Sequence, residues 1–540
     1  MCLSISFDTK AQNLKEVFWY DSPLLSSISY NSFDEFIENN PGPDFSISIS
    51  NINKIKGFGF DIFFDTYNIQ KDFNLSSIPK FTIDLYSSDG SVSPSQKFIQ
   101  SKQSFYNLYI GTGIHRLDND NNYSVVILPI ALLHKNANCV HNGVLVFSIL
   151  ENKISNSIFQ VSSETCAYLK FDLVAVLEMN NTLSEMTNRN ISNDTTRKTI
   201  AISNLYDQYN IKANSFADSA NFNNKNVTIF GLIDGDNHYS SNCQTRAGQY
   251  PLCNELLLPS YSLAKSLAGT VTIALLQEQF SNIADISVSV IPECDTPSWN
   301  NVTLEDLSDM ASGHFLRSTF DYDENSSIHG AFLFEALTHE KKIKIACKSF
   351  PRKTKPGKKF VYRTSDTYIL GSALNEFIRN KNLGDDYFLD ILTPLFNELE
   401  LSDASKYTLR TFDEELQPYT GWGMYLTRDD LMKLSNFFHK VRIDKNNYLF
   451  LHEALNPSYS NSLVALKDYD IFYNNGFWSK KFNGKKLGCK NDIWVPFMSG
   501  FGGITFAFFP NGMSYYYFSD GYVYSWEDAV YAANLIKPFC

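Results

Sequence analysis

The sequence predicts an α+β protein in two parts: an all-β domain over residues 1–190, then a domain over residues 191–540 in which a central antiparallel sheet is flanked by helices. Three observations predict this. Before residue 180, short runs of alternating apolar and polar residues are separated by turn signals. From 180 to 199 the chain becomes rich in Asn, Ser and Thr without an apolar period, the composition of a surface connection. Beyond it, strand-like runs stand before and after a block of helical periodicity.

The β-part begins with the alternation Phe45, Ile47, Ile49, followed by Phe81, Ile83, Leu85, then Val144, Val146 and Phe147, then residues 168–177. Pro41-Gly42-Pro43 and Ser88-Asp89-Gly90 supply turns between the runs, and a sandwich or barrel follows. Gly111-Thr112-Gly113 and His115, His134 and His141 are its only chemical candidates, and no metal-ligand spacing links the histidines. In the second part, residues 227–240 read as a hairpin turning at Asp234-Gly235-Asp236-Asn237. Helices are predicted from Ser262 onward, at 304–311, 367–379, 385–399, 428–440 and 526–536. Strands are predicted at 494–498, 504–509 and 514–518, the last two joined by Pro510-Asn511-Gly512.

Composition narrows the function classes. A 540-residue chain with 44% hydrophobic residues exceeds one core and has no apolar run near the roughly 20 residues that span a bilayer. A net charge of -12 opposes nucleic acid and anionic membrane surfaces as partners. The start, Met1-Cys2-Leu3-Ser4, lacks a basic segment, apolar core and cleavage site, so the chain is intracellular or its signal has been removed; a periplasmic or secreted location is favoured. Nine cysteines without a Cys-x-x-Cys pair indicate neither a zinc site nor a complete disulfide framework, with Cys243 and Cys253 the best-placed local pair. The sequons at Asn74, Asn190, Asn226 and Asn301 are expected by chance in so Asn-rich a chain.

Chemistry concentrates at Ser262-Leu263-Ala264-Lys265. On a helix, residues i and i+3 share a face, so the Lys265 amine reaches the Ser262 hydroxyl. Leu263, Leu267, Val271, Ala274 and Leu275 supply the apolar stripe that buries such a helix. Spacing alone is weak evidence. Ser77 and Lys80 repeat it, yet Pro79 and the alternation after it put that pair in loop and strand.

Four stretches together resemble the β-lactamase-like serine hydrolases, the superfamily of class C β-lactamases, penicillin-binding proteins, related esterases and 6-aminohexanoate-dimer hydrolases. They are Ser262 to Lys265; residues 302–314, with a Ser312-Gly313 turn; residues 356–365, with Tyr362; and Ser499-Gly500-Phe501-Gly502-Gly503-Ile504. The resemblance covers roughly residues 200–540 and leaves the β-part unmatched. It implies Ser262 as nucleophile and Lys265 and Tyr362 as proton carriers, without saying which is the base. It also implies an oxyanion site between the N–H groups of Ser262 and Ile504, with Gly502 and Gly503 giving close approach. No metal or cofactor is called for.

Two departures from the family pattern shape the expected substrate. Phe501, Gly502 and Gly503 stand where penicillin-recognising relatives carry a cation and a hydroxyl, and Thr364 stands where many carry Asn or Ser. An ester or small-amide hydrolase is therefore expected over a penicillin-binding protein or β-lactamase. The alternative of another class is a catalytically silent binding protein whose β-domain docks a glycan or protein. Arg363 is the nearest substitute cation, weighed against a solvated surface charge. Trp422 and the Phe477-Trp478 pair are candidates to line an aromatic pocket, weighed against core packing. His314 reads as structural.

Overall fold

The computed structural model describes residues 14–19, 26–51, 54–118, 123–151, 153–162, 166–183, 198–212, 215–217, 226–524 and 526–540. The predicted boundary at 190, Cys2 and the Asn190 sequon lie outside them. The chain forms two compact units, the first comprising residues 1–135, 139–196 and 242–257, the second residues 136–138, 197–241 and 258–540.

The first unit is built on a 13-stranded sheet. Its alternating runs pair as their pattern requires: Ile47 faces Leu85 and Ile49 faces Ile83, all four buried. Tyr123–His134 is buried along its whole length, so its period-2 signal is lost and the sequence reading passes over it. Residues 242–257 return to this unit without a core of their own. Tyr250 donates its hydroxyl proton to the Gly143 carbonyl at 2.6 Å, and the Asn142 amide bonds both the carbonyl and the N–H of Leu257. The three histidines are buried and held neutral: burial lowers His115 to about 4 and His134 to about 3, and pushes His141 well below its ordinary value.

The second unit is α+β. Its sheet runs in the order 200–201, 237–240, 227–234, 513–519, 504–508, 493–500, 477–482, 471–474, 463–466, antiparallel except for the first pair. Asp234 and Asn237 close the first hairpin, and Gly512, at φ 85°, turns the last one as a left-handed residue must. Phe497, Tyr515, Tyr517 and Trp478 on the sheet pack with Trp526, Ala529 and Val530 of the closing helix Glu527–Ile536. Arg428–Ile443 starts at a capping box made by Thr427 and Asp430. Among the boundaries that differ from the sequence reading, two lie next to the Tyr362 segment. The helix expected over 304–311 stops at Ser308, because Met310 at φ 54° and Gly313 at φ 82° turn the chain back; the helix expected over 367–379 starts earlier, at Thr364. Among the described residues no helix is long and apolar enough to cross a membrane.

The cysteines correct the sequence reading. Among the described residues four disulfides form, Cys139–Cys166 and Cys243–Cys253 in the first unit, Cys294–Cys347 and Cys489–Cys540 in the second. Only the 243–253 pair was legible, because the others close 27, 53 and 51 residues and meet through tertiary structure. Opening Cys294–Cys347 by a double Cys→Ala substitution is expected to cost about 2–4 kcal/mol of stability, measured by denaturant unfolding. An unchanged midpoint would show that this bridge restrains nothing.

Candidate active site

Ser262 ends a tight turn, and the helix begins behind it. Leu263, Ala264 and Lys265 donate their N–H groups three residues back, to the carbonyls of Ser260, Tyr261 and Ser262. The Ser262 N–H takes no partner among the described residues and remains available to a ligand. Residues 265–270 then form a π-helical turn that leads into Val271–Gln277. Side chains on this turn clamp the helix to the 475–476 hairpin, Ser266 donating to the Gly476 carbonyl and Thr270 to the Asn475 carbonyl, both at 2.6 Å. A Cβ on Gly476 would lie 2.2 Å from Thr270 Oγ1, so only glycine fits. Asp309, pushed up to about 8 by burial, accepts the Asn475 N–H at 2.5 Å from the other side.

Tyr261 sits at φ 40°, a strained conformation for a bulky residue directly before Ser262. Asn138, one of the three residues 136–138 of this unit, holds it there. Its Oδ1 accepts the Tyr261 N–H at 2.7 Å, the Ser260 hydroxyl at 3.0 Å and the Gly423 N–H at 3.0 Å, while its Nδ2 donates to the Met424 carbonyl at 3.2 Å. One amide thus fixes the Ser262 turn to the 423–424 segment.

The Lys265 Nζ is surrounded by three oxygens: Ser262 Oγ at 2.9 Å, Thr364 Oγ1 at 3.1 Å and the Gly421 carbonyl at 3.1 Å. Burial lowers it to about 8, against an opposing pull from the Glu324 carboxylate. Glycine at 421 lets this segment lie against the start of the helix that Thr364 opens, since a Cβ there would meet Thr367 Oγ1 at 2.5 Å and Thr364 Cγ2 at 3.0 Å. Thr364 opens the 17-residue helix Thr364–Asn380, and Glu324 caps that end, accepting the Thr364 N–H at 2.5 Å on Oε1 and the Thr364 hydroxyl at 2.6 Å on Oε2. His329 Nδ1 lies 3.5 Å from Glu324 Oε1.

Tyr362 reaches the site on an extended segment laced to the 310–313 turn, where Val361 donates to the Met310 carbonyl and Gly357 to the Ala311 carbonyl, both at 2.9 Å. Its ring packs 5.5 Å from Trp478 and lies under the Lys265 ammonium at 5.1 Å. Burial and the Glu324 charge raise the phenol far above its ordinary value, and a hydrogen bond with Ser262 draws it back only in part.

Ser262, Lys265, Tyr362 and Thr364 are therefore brought together, and the remaining expectations are revised. Gly502 and Gly503, at φ 92° and 96°, form a turn; a Cβ on Gly503 would strike the Val523 carbonyl and Ser519 Oγ, so its emptiness serves the turn and not a substrate. Close approach falls instead to Gly500, where a Cβ would stand 3.1 Å from the Ser260 carbonyl and 3.2 Å from Leu263 Cδ1. Ile504 is buried and pairs with Gly500 across the hairpin. Trp422 is a packing residue, its indole N–H donating to the Asn136 carbonyl at 2.8 Å and its ring tilted against Tyr419 at 4.5 Å. Arg363 is neither a surface charge nor a substrate cation: it is 1% exposed, over the Phe350 ring, and ion-paired with Asp366, which also accepts the Ser312 hydroxyl at 2.8 Å. His314 stacks on Trp299 at 3.8 Å, a structural position.

The sequence reading missed Asn138, Glu324 and Gly500. Asn138 lies far from every motif, and Glu324 stands in an acidic run, residues 321–324, that reads as a polar loop. The Ser499-Gly500 step carried a signal, but the paired glycines beside it drew the attention.

No family model and no curated protein matches the chain. Solved structures similar to it include a class C β-lactamase (16% identity, TM-score 0.42, covering 65% of this chain and 98% of that one). Another is a β-lactamase/D-alanine carboxypeptidase from Pseudomonas syringae (12% identity, TM-score 0.41, 62% and 98%). A third is a D-stereospecific amidohydrolase from Streptomyces sp. (13% identity, TM-score 0.39, 55% and 90%).

Replacing Asn138 by Ala leaves two buried N–H donors, those of Tyr261 and Gly423, unpaired at roughly 1–3 kcal/mol each, while the Ser260 hydroxyl keeps the Tyr261 carbonyl as acceptor, and it releases the Tyr261 conformation. The rate of Ser262 labelling by a fluorophosphonate is expected to fall about tenfold or more, since a nucleophile held less well reacts more slowly. Wild-type labelling in Asn138→Ala would show that the turn holds itself.

Proposed function

We propose that the second unit is a serine hydrolase that forms an acyl-enzyme at Ser262 and acts on esters or small amides. The observation that carries this reading is the set of bonds around one nitrogen. Thr364 gives its hydroxyl proton to Glu324, so its oxygen can only accept from Lys265, and the Gly421 carbonyl can only accept as well. Two of the three positions on Nζ are thereby fixed as N–H donors. The third points at Ser262 Oγ, and in the neutral amine it is a lone pair that takes the serine proton.

The two proton carriers then divide their roles. With Lys265 at about 8, the neutral base is a minor but usable fraction at pH 7 and about half the population near pH 8. Tyr362 is held as a phenol next to the Lys265 amine, so it supplies the proton that the leaving group needs as it departs from the acyl carbon. The leaving group departs with the Tyr362 proton, the proton taken by Lys265 restores the phenol, and a water then repeats the sequence to release the acid. The unpaired Ser262 N–H provides one donor to the developing oxyanion, beside the strand end at Gly500.

Acylation is expected to rise with pH through a single ionisation near about 8 and then to hold level, because Tyr362 remains protonated above it. Glu324 favours the charged lysine, so Glu324→Gln moves that inflection to lower pH. Stopped-flow hydrolysis of p-nitrophenyl butyrate over pH 6–10 measures both; a rate that falls as pH rises would remove Lys265 as base. Lys265→Met is expected to slow acylation by about 10²–10⁴, and Ser262→Ala to abolish it. Ester turnover that survives Ser262→Ala would overturn the reading itself.

A further inference from the structure

The first unit holds a cavity that the hydrolase reading leaves unused. The strand Ile55–Asp65 closes one edge of the 13-stranded sheet and pairs with Leu169–Leu177. Over these two strands lies a cavity of about 680 Å³, within the range of small-molecule sites. Its walls are residues 26–29 and 246–248, and both are tied down. The Gln160 side-chain amide bonds the N–H and the carbonyl of Ile28, at 2.9 and 2.8 Å, and Tyr30 donates its N–H to the Ala247 carbonyl at 2.7 Å. A ligand entering here has little of the protein left to order.

The floor of the cavity is arranged in a way that folding alone disfavours. Asp61 and Asp172 face each other directly across the two strands, and like charges in that register are destabilising. Arg246 offsets one of them. Its Nη2 and Nε donate to Asp172 Oδ1 at 2.7 and 3.2 Å, and its guanidinium stands 4.9 Å from the centre of the Phe63 ring. Among the described residues the Asp61 carboxylate and Asp172 Oδ2 accept no hydrogen bond, and the buried Ser27 hydroxyl has no partner. Phe63 is the extra residue where the pairing shifts between Lys170 and Phe171, and its ring, 57% exposed, lines the same cavity.

Carboxylate oxygens only accept, so the ligand must bring several donors close together, and it must bring an apolar surface for the ring. The two carboxylates outweigh the one guanidinium, which opposes an anion, while Arg246 already holds the cation position on the Phe63 ring. A neutral pyranose meets each demand: adjacent hydroxyls donate to the facing carboxylates, and the C–H face of the ring packs on Phe63. We propose that this cavity binds a neutral oligosaccharide of gluco-configured rings, whose equatorial hydroxyls leave both ring faces apolar. Asp61 is the acceptor that selects it, and the like-charge pairing is the cost of that selection. The site is independent of the reaction at Ser262.

The test is isothermal titration calorimetry of the full chain with cellotriose, laminaritriose and N-acetylated chitotriose, beside trigalacturonate as an anionic sugar and choline as an organic cation. At least one neutral sugar is expected to bind, and more tightly than either charged probe. Asp61→Ala and Phe63→Ala are each expected to weaken that binding about tenfold. Both side chains are exposed, and removing Asp61 relieves the carboxylate pair, so Asp61→Ala is expected to keep or raise the thermal midpoint. A lost affinity in that variant is then a lost contact and not a lost fold. No binding of any of the three neutral sugars, tighter binding of trigalacturonate or choline, or an affinity unchanged in either variant overturns the proposal. Ester hydrolysis and Ser262 labelling are read separately and decide only the hydrolase reading.

Discussion

Everything at the site depends on the burial of one lysine nitrogen with two acceptors fixed on it. A free lysine is a poor base because it is almost wholly charged at neutral pH. Desolvation brings Lys265 to about 8, and the Thr364 and Gly421 oxygens keep its remaining position on Ser262. Glu324 opposes the desolvation through its charge and supports the geometry through Thr364. The balance keeps the amine soluble in the core yet able to lose its proton. Tyr362 is governed by the same burial and is driven the other way, toward the neutral donor.

The surrounding fold serves that nitrogen. The three-residue bonds over 260–265 set the lysine on the same side as the serine, and the Ser266 and Thr270 hydroxyls of the π-helical turn behind them fasten the helix to a hairpin carbonyl pair. Asn138 fixes the strained residue before Ser262, and glycines at 421 and 500 let their segments lie against Thr364 and Thr367 and against the Ser260 turn. Arg363 and Asp366 form a buried pair beneath the Tyr362 segment, a pair whose single loss would leave a charge alone in the core, at about 3–5 kcal/mol. These residues touch no substrate, but each fixes a group that would.

Much of this was legible in the sequence where the information is local. The Ser262 and Lys265 spacing, the closing hairpin at Pro510-Asn511-Gly512 and the capped helix after Thr427 depend on neighbours in the chain. What was not legible depends on residues that meet only in space. Cys294 and Cys347 are 53 positions apart; Asn138 lies more than a hundred positions before the turn it holds; the fully buried strand at 123–134 has no polar face to give it a period. Gly502 and Gly503 misled for a physical reason, because a glycine that permits positive φ and a glycine that permits close approach are identical as letters. Trp422 and Arg363 misled likewise, since side chains suited to a cleft are equally suited to a buried pair.

The most direct test of Ser262 as nucleophile is peptide mapping after reaction with a fluorophosphonate. Tryptic cleavage after Arg246 and Lys265 releases residues 247–265, which contain both Ser260 and Ser262. Fragmentation is predicted to place a single phosphonyl group on Ser262, with none on that peptide from Ser262→Ala. An adduct on Ser260, an adduct confined to another peptide such as that holding Ser77, or no adduct at all would contradict the account.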